Sequence, residues 1–258
     1  MDTLNDLRLA VLIDADNIPY GNVRGMLEEI AKYGTPTFKR IYGDWTKPTI
    51  SGWKSVLLEN AISPVQQYSY TKGKNSTDSA MIIEAMDILY SGKVDGFCIV
   101  SSDSDFTRLA TRLREAGMKV IGIGERKTPA PFIVACDKFI YLEILNPPVN
   151  IPEPPSEIRK KGKIIVKKKQ KEDTAAYPAT NSVRRIISSS ITDLADENGW
   201  AYLGDVGNLI LKKQPDFDPR NFGFTKLTPL IKSLDFEIDE RDSGKDHIKH
   251  IYIRNRKM

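Results

Sequence analysis

Carboxylates recur at the ends of apolar runs in the first part of the chain. Asp14 closes the run Val11-Leu-Ile-Asp14, and Asp103 follows Ile99-Val-Ser-Ser. Asp78 stands at the start of a helical pattern, and Asp105 comes two positions after Asp103. Carboxylates that are brought together disfavour each other's ionisation unless a cation neutralises them. The pattern therefore predicts a site for a hard divalent cation such as Mg²⁺, and metal-assisted chemistry on a phosphate ester.

Other chemistries are excluded by the composition of the 258-residue chain. Its two cysteines, Cys98 and Cys136, make neither a disulfide framework nor a zinc site. Its histidines, His247 and His250, stand near the C-terminus, so histidine chemistry is excluded from the N-terminal part. The sequence has no signal-peptide pattern and no apolar run of the roughly 20 residues that a membrane span needs. We therefore expect a cytoplasmic protein without a membrane partner.

Short apolar runs alternate with helical patterns before residue 146. This alternation is typical of an α/β domain whose doubly wound parallel sheet is covered on both faces. The predicted strands are Leu9–Ile13, Thr37–Tyr42, Ile62–Tyr68, Phe97–Val100, Val120–Ile123 and Phe139–Tyr141, and the predicted helices are Val23–Tyr33, Ser51–Asn60, Ser76–Tyr90 and Phe106–Ala116. In the strand order 3-2-1-4-5, Asp14 and Asp103 would face each other across the crevice at the switch point.

The net charge of +4 is concentrated in the middle of the chain. Residues 1–146 hold 17 basic and 18 acidic side chains, whereas residues 147–183 hold eight basic and four acidic ones. The five prolines of residues 147–155 and the run of lysines after them predict a linker over 147–181, as a solvating tether or a phosphate-binding arm. The expected domains are therefore residues 1–146 and 182–258.

Residues 182–258 predict a small α+β domain of the winged-helix type. Three helical patterns cover Ser182–Asn198, Asp205–Lys213 and Thr225–Leu234. Two alternating stretches, 236–239 and 251–254, could pair as a terminal hairpin.

The polar residues also have ordinary structural explanations. The four carboxylates suit the first turn of a helix or the turn after a strand, and Asp16 or Asn17, ahead of Pro19, suits a helix N-cap. Ser101 and Ser102 are turn formers or substrate contacts with equal weight. Three loop lysines could attract a polyanion, namely Lys47, Lys72 and Lys74.

Three motifs together resemble the NYN domain, a branch of the PIN-like nucleases with a bacterial LabA-like group. They are Val11-Leu-Ile-Asp14-Ala-Asp16-Asn17, Lys74-Asn-Ser-Thr-Asp78 and Ser101-Ser-Asp103-Ser-Asp105-Phe106, within residues 7–145. The resemblance implies a Mg²⁺- or Mn²⁺-dependent ribonuclease that cleaves single-stranded or loop RNA by water attack on phosphorus, leaving a 5′-phosphate and a 3′-hydroxyl.

The same resemblance implies roles for individual residues. Asp14 and Asp103 are expected as the principal metal ligands, with Asp78 and Asp105 as further or water-mediated ligands. Asn17 is expected to orient the substrate or the attacking water. The chain departs from the family pattern at Ser102, where a glycine is usual.

The stretch from Gly199 to Leu230 resembles the OST-HTH, or LOTUS, domain. The matching residues include Gly199-Trp-Ala-Tyr-Leu-Gly-Asp-Val-Gly and Asp218-Pro-Arg-Asn-Phe-Gly-Phe224. The resemblance implies a winged-helix module that binds RNA or a protein partner. Its candidate phosphate contacts are Arg220, Lys226 and Lys232, for which a merely solvated role is at least as reasonable.

Two other functions remain open at this point. The Asp14-Ala-Asp16 pair superficially fits a phosphatase with an aspartate nucleophile. Such enzymes usually have Thr or Val where this chain has Ile18-Pro19. A non-catalytic RNA-binding adaptor would keep the same domains and bind metal or RNA without turnover.

Overall fold

The computed structural model describes residues 6–68, 76–145, 181–242 and 249–256. The first two ranges form an α/β domain with a six-stranded parallel sheet. Its strands are β1 (Arg8–Asp14), β2 (Thr35–Gly43), β3 (Ser63–Gln66), β4 (Gly96–Val100), β5 (Lys119–Gly124) and β6 (Lys138–Tyr141). The predicted linker at 147–181 lies almost wholly outside the described residues, so the domain boundaries stay a prediction.

The sheet has the order β3-β2-β1-β4-β5-β6, which confirms the predicted order and places the last strand at an edge. Strands β1 and β4 are neighbours at its centre, and nearly all of their residues are buried. A strand that is covered on both faces must be apolar on both, which is why these two runs show no polar alternation.

Helices cover both faces of the sheet and confirm the doubly wound fold. They are α1 (Val23–Ile30), α2 (Lys54–Leu57), α3 (Ser76–Tyr90), α4 (Thr107–Glu115) and α5 (Ala130–Ala135). One core cluster packs α1 and α2 against the sheet, through residues such as Met26 and Leu57. The other packs α3, α4 and α5 on the opposite face, through residues such as Met81 and Phe132.

Two local predictions differ from the structure. The predicted helix Ser51–Asn60 is a 3₁₀ helix over Pro48–Trp53 followed by the single turn of α2. The tight 3₁₀ turn brings Gly52 against the ring of Tyr20, where a β-carbon would clash with the ring. Helix α5 was not predicted because six residues are too few for a helical period to be read.

The C-terminal domain contains three helices and a three-stranded antiparallel sheet. The helices are α6 (Asn181–Leu194), α7 (Leu203–Lys213) and α8 (Leu227–Ser233), and the strands are β7 (Ala201–Tyr202), β8 (Glu237–Asp242) and β9 (Lys249–Arg254). The hairpin of β8 and β9 confirms the predicted pairing. The two residues of β7 extend it to three strands, and so short an element has no readable alternation.

The helices and the sheet of this domain share one apolar core, which includes Ile187, Val206 and Ile253.

Within the described residues, no helix combines the length and the apolar character needed to cross a membrane.

Candidate metal centre

The loop after β4 carries two of the predicted carboxylates. Asp103 is the N-cap of a short 3₁₀ helix, Ser104–Phe106, and its carboxylate accepts a hydrogen bond from the backbone N–H of Asp105 at 2.9 Å. This turn holds the side chains of Asp103 and Asp105 close together at the carboxyl end of the sheet. An acidic cap is favoured there because it satisfies an otherwise free N–H group.

Asp78 joins this pair from the first turn of α3. One carboxylate oxygen from each of Asp78, Asp103 and Asp105 lies within 4.8 Å of the others, and the described residues offer this one group of three potential metal ligands. Oxygen ligands at this spacing fit a hard cation such as Mg²⁺ or Mn²⁺. The structure thus brings together three of the four predicted ligands.

The electrostatics of the cluster indicate a shortage of positive charge. Burial, followed by the negative charges of Asp14, Asp103, Asp105 and Asp16, raises the pKa of Asp78 from 3.8 to about 6. Repulsion among carboxylates of this kind is relieved when a cation binds between them.

Asp14, the fourth predicted ligand, lies at the end of β1 with only 1% of its surface exposed. Its carboxylate accepts hydrogen bonds from the hydroxyl of Ser101 at 2.8 Å, the side-chain amide of Asn17 at 2.6 Å and the backbone N–H of Asp16 at 3.1 Å. Burial raises the pKa of Asp14, although these three donors oppose the effect. Its role as a principal metal ligand stays a prediction.

Asp16 is not the helix cap that the sequence suggested, and neither is Asn17. The helical turn Tyr20–Asn22 has Pro19 as its N-cap and no capping side chain. The carboxylate of Asp16 instead accepts a hydrogen bond from the hydroxyl of Thr77 at 3.2 Å and lies 3.6 Å from the ammonium nitrogen of Lys47. Thr77, immediately before Asp78, was missed because a lone hydroxyl residue in a helix start carries little signal.

The two predicted serine contacts are buried and bonded within the protein. Ser101 donates to Asp14 and accepts the backbone N–H of Asp103 at 3.1 Å, and Ser102 accepts the backbone N–H of Glu125 at 2.9 Å. These bonds favour a positioning role over direct contact with a substrate. Ser102 replaces the usual glycine without strain, because it is not among the residues with a positive φ.

The predicted lysine contacts fall in different surroundings. Lys47 faces Asp16 at the rim of the cluster, as given above, whereas Lys72 and Lys74 lie outside the described residues. In the C-terminal domain Lys226 and Lys232 are exposed, but the guanidinium of Arg220 is bonded to Glu29 and Asp218.

Comparisons with known proteins agree with this geometry. The family model of the NYN domain matches residues 8–143, and that of the OST-HTH/LOTUS domain matches residues 179–248. No curated protein matches the chain.

Three solved structures show partial similarity to the chain. A protein of unknown function from Vibrio parahaemolyticus is 20% identical, with a TM-score of 0.45, over 55% of this chain and 96% of its own. An uncharacterized protein from Nitrosomonas europaea is 27% identical, with a TM-score of 0.27, over 42% and 88% of the two chains. A fragment of a protein from Chromobacterium violaceum is 32% identical, with a TM-score of 0.25, over 32% and 88%.

The doubly wound sheet, the carboxylates at its carboxyl edge and the match over more than half of the residues lead to one conclusion. The chain belongs to the NYN domain family, a group of PIN-like, nuclease-type domains, and carries a C-terminal OST-HTH/LOTUS domain.

Proposed function

We propose that this protein is a metal-dependent ribonuclease that hydrolyses phosphodiester bonds in single-stranded or loop RNA. The observation that carries the proposal is the convergence of oxygens from Asp78, Asp103 and Asp105 within 4.8 Å. These three side chains would hold Mg²⁺ or Mn²⁺. When bound, the cation supplies charge neutralisation at the phosphate and lowers the pKa of a bound water.

Asp14 is the buried member of the proposed site. Its hydrogen bond with Ser101, and that of Ser101 with the backbone of Asp103, tie the end of β1 to the loop that carries Asp103. Three hydrogen bonds leave one of the roughly four lone-pair positions of a carboxylate for a cation. The side-chain amide of Asn17 donates to the same carboxylate oxygen of Asp14 as the Ser101 hydroxyl does.

Lys47 and the C-terminal domain are proposed to hold the polyanionic substrate. Lys47 lies at the rim of the cluster beside Asp16, where it can attract a phosphate without joining the metal ligands. The exposed Lys226 and Lys232 are candidate phosphate contacts in the LOTUS domain.

The phosphatase alternative is less well supported by the geometry. A nucleophilic aspartate must reach phosphorus, but the Asp14 carboxylate is buried and accepts three hydrogen bonds. A non-catalytic adaptor stays a distinct outcome of the experiment below.

The test compares wild type, Asp103→Asn and Asp87→Asn on end-labelled single-stranded RNA, with Mg²⁺, with Mn²⁺ or with EDTA. Asp87 is an exposed carboxylate on α3, the helix that carries Asp78, and serves as the matched control. We expect metal-dependent cleavage by wild type and Asp87→Asn, and its loss in Asp103→Asn with RNA binding largely retained. RNA binding without cleavage by wild type would support the adaptor, and turnover of an aryl phosphate alone would support the phosphatase.

A further inference from the structure

A segment of the C-terminal domain, residues 214–221, lies against the NYN domain, and we call it the docking segment. Strand β6 is the edge of the sheet, so one row of its backbone groups faces away from β5. The backbone N–H of Phe139 donates to the carbonyl of Pro215 at 2.9 Å. The hydroxyl of Tyr141 donates to the carboxylate of Asp216 at 2.8 Å. The docking segment thus covers part of an otherwise open sheet edge.

A buried ion pair joins the same two surfaces. Arg220 donates from both terminal nitrogens to the two carboxylate oxygens of Glu29 in α1, at 2.9 and 2.7 Å. Glu29 is only 3% exposed, and its other charged partner is the surface residue Lys32 at 2.7 Å. A carboxylate this deeply buried is costly unless it is paired and hydrogen-bonded. Although burial opposes its ionisation, the bonds from Arg220 and Lys32 lower the pKa of Glu29 to about 2.

Hydrogen bonds within the C-terminal domain hold the docking segment in shape. Asp218 caps the 3₁₀ helix Pro219–Phe222. Its carboxylate oxygens also accept hydrogen bonds from Nη2 and Nε of Arg220, at 2.7 and 3.0 Å. The side-chain amide of Asn221 donates to the carbonyl of Asp216 at 3.0 Å, and Phe217 is buried in the C-terminal core. A preorganised arginine loses little conformational freedom when it pairs, so this arrangement suits a specific interface.

We infer that the docking segment locks the C-terminal domain onto the β6 edge and α1 of the NYN domain, so that the two domains form one rigid unit in solution. The partner that this surface fits is therefore the chain's own NYN domain. A consequence, which rests on the proposed function, is that RNA held by the C-terminal domain reaches the metal centre from one fixed direction.

The rigid docking of the two domains, which we call the lock, is tested by a distance measurement that does not depend on enzymatic activity. Nitroxide labels at Lys54→Cys and Lys212→Cys, both exposed positions, report the separation of the two domains by pulsed electron resonance. The native thiols of Cys98 and Cys136 are buried and do not compete for the label. We expect one narrow distance distribution in the full-length protein. A broad distribution would overturn the inference.

Two substitutions on the NYN side then weaken the lock without touching the C-terminal core. Glu29→Gln removes the charge that pairs with Arg220, and Tyr141→Phe removes the hydroxyl that binds Asp216. We expect the double variant to lose the narrow distance peak while the helical circular dichroism signal is retained. Glu28→Gln is the matched control, because Glu28 is exposed and pairs with Arg24 on the same helix. An unchanged narrow peak in the double variant would show that these contacts do not hold the domains.

The consequence for cleavage has its own readout. On end-labelled RNA the locked protein should give a defined set of cut positions, and the double variant should spread them at similar total activity. A protein with a narrow distance distribution but no cleavage would retain the lock and refute the ribonuclease proposal. Cleavage by a protein with a broad distance distribution would support the ribonuclease proposal and refute the rigid docking of the two domains.

Discussion

The ionisation of Asp78 gives a quantitative prediction for metal binding. Its pKa is raised to about 6 by burial and by the surrounding carboxylates, so the metal-free protein carries a proton there in mildly acidic solution. A cation must displace that proton. The ionised fraction of a group with a pKa of about 6 falls from about 90% at pH 7 to about 10% at pH 5, so we expect metal affinity to fall roughly tenfold over that interval.

The same shift affects stability with a defined sign. Because the pKa is higher in the folded protein than its ordinary value of 3.8, the contribution of Asp78 is most favourable below about pH 4. It is lost as the pH rises through about 6, and the full shift corresponds to at most about 3 kcal/mol, reduced by solvent screening at the mouth of the site. Added Mg²⁺ or Mn²⁺ should restore that stability above pH 6 and have little effect below it.

Isothermal titration calorimetry across this pH range provides the assay. Asp105→Asn removes one of the charges that raise the Asp78 pKa, so the midpoint of the pH dependence should move to lower pH even though binding is weaker. Asp87→Asn should leave both the midpoint and the affinity unchanged. A metal affinity that stays constant between pH 7 and 5 would refute the argument that the metal must displace a proton from Asp78.

Three other predictions concern single contacts. Ser101→Ala should lower the free energy of unfolding by about 1–3 kcal/mol in urea titrations, because Asp14 and the N–H of Asp103 lose a partner, whereas Ser104→Ala in the exposed part of the loop should change it little. Ala61→Gly should raise the unfolding free energy by about 1 kcal/mol, because Ala61 has a φ of 49°, and a thermal midpoint that falls would contradict this. Glu29→Gln should lower the unfolding free energy by about 1.5–3 kcal/mol, since Arg220 loses its charged partner in α1 but keeps Asp218, while Glu28→Gln should be near neutral in the same scan.

The sequence predicted the parts of the fold that depend on repeated burial. Strands β1 and β4 are apolar on both faces, and this property, together with the helical patterns between the strands, indicated a covered parallel sheet with its carboxyl ends at one edge. The convergence of Asp78, Asp103 and Asp105 followed from that placement.

Contacts between distant residues left no such pattern. Glu29 and Arg220 are 191 positions apart, and Arg220 lies in a short 3₁₀ turn outside every predicted helix, so their pairing could not be read from periodicity. The hydrogen bonds that the Asp14 carboxylate accepts could not be predicted either, because they depend on how the loop after β4 packs against the end of β1. The 3₁₀ turn at Pro48–Trp53 and the short strand β7 were not predicted for another reason. Elements of a few residues show no hydrophobic period.

The most direct test of the metal-centre account is a change of metal specificity at Asp103. Asp103→Cys replaces a hard oxygen ligand by a soft thiolate, which binds Mg²⁺ poorly and accepts softer cations such as Cd²⁺. We predict that this variant does not cleave single-stranded RNA with Mg²⁺ and regains cleavage with Cd²⁺. Equal cleavage by wild type and Asp103→Cys in Mg²⁺ would contradict the claim that Asp103 holds the catalytic cation.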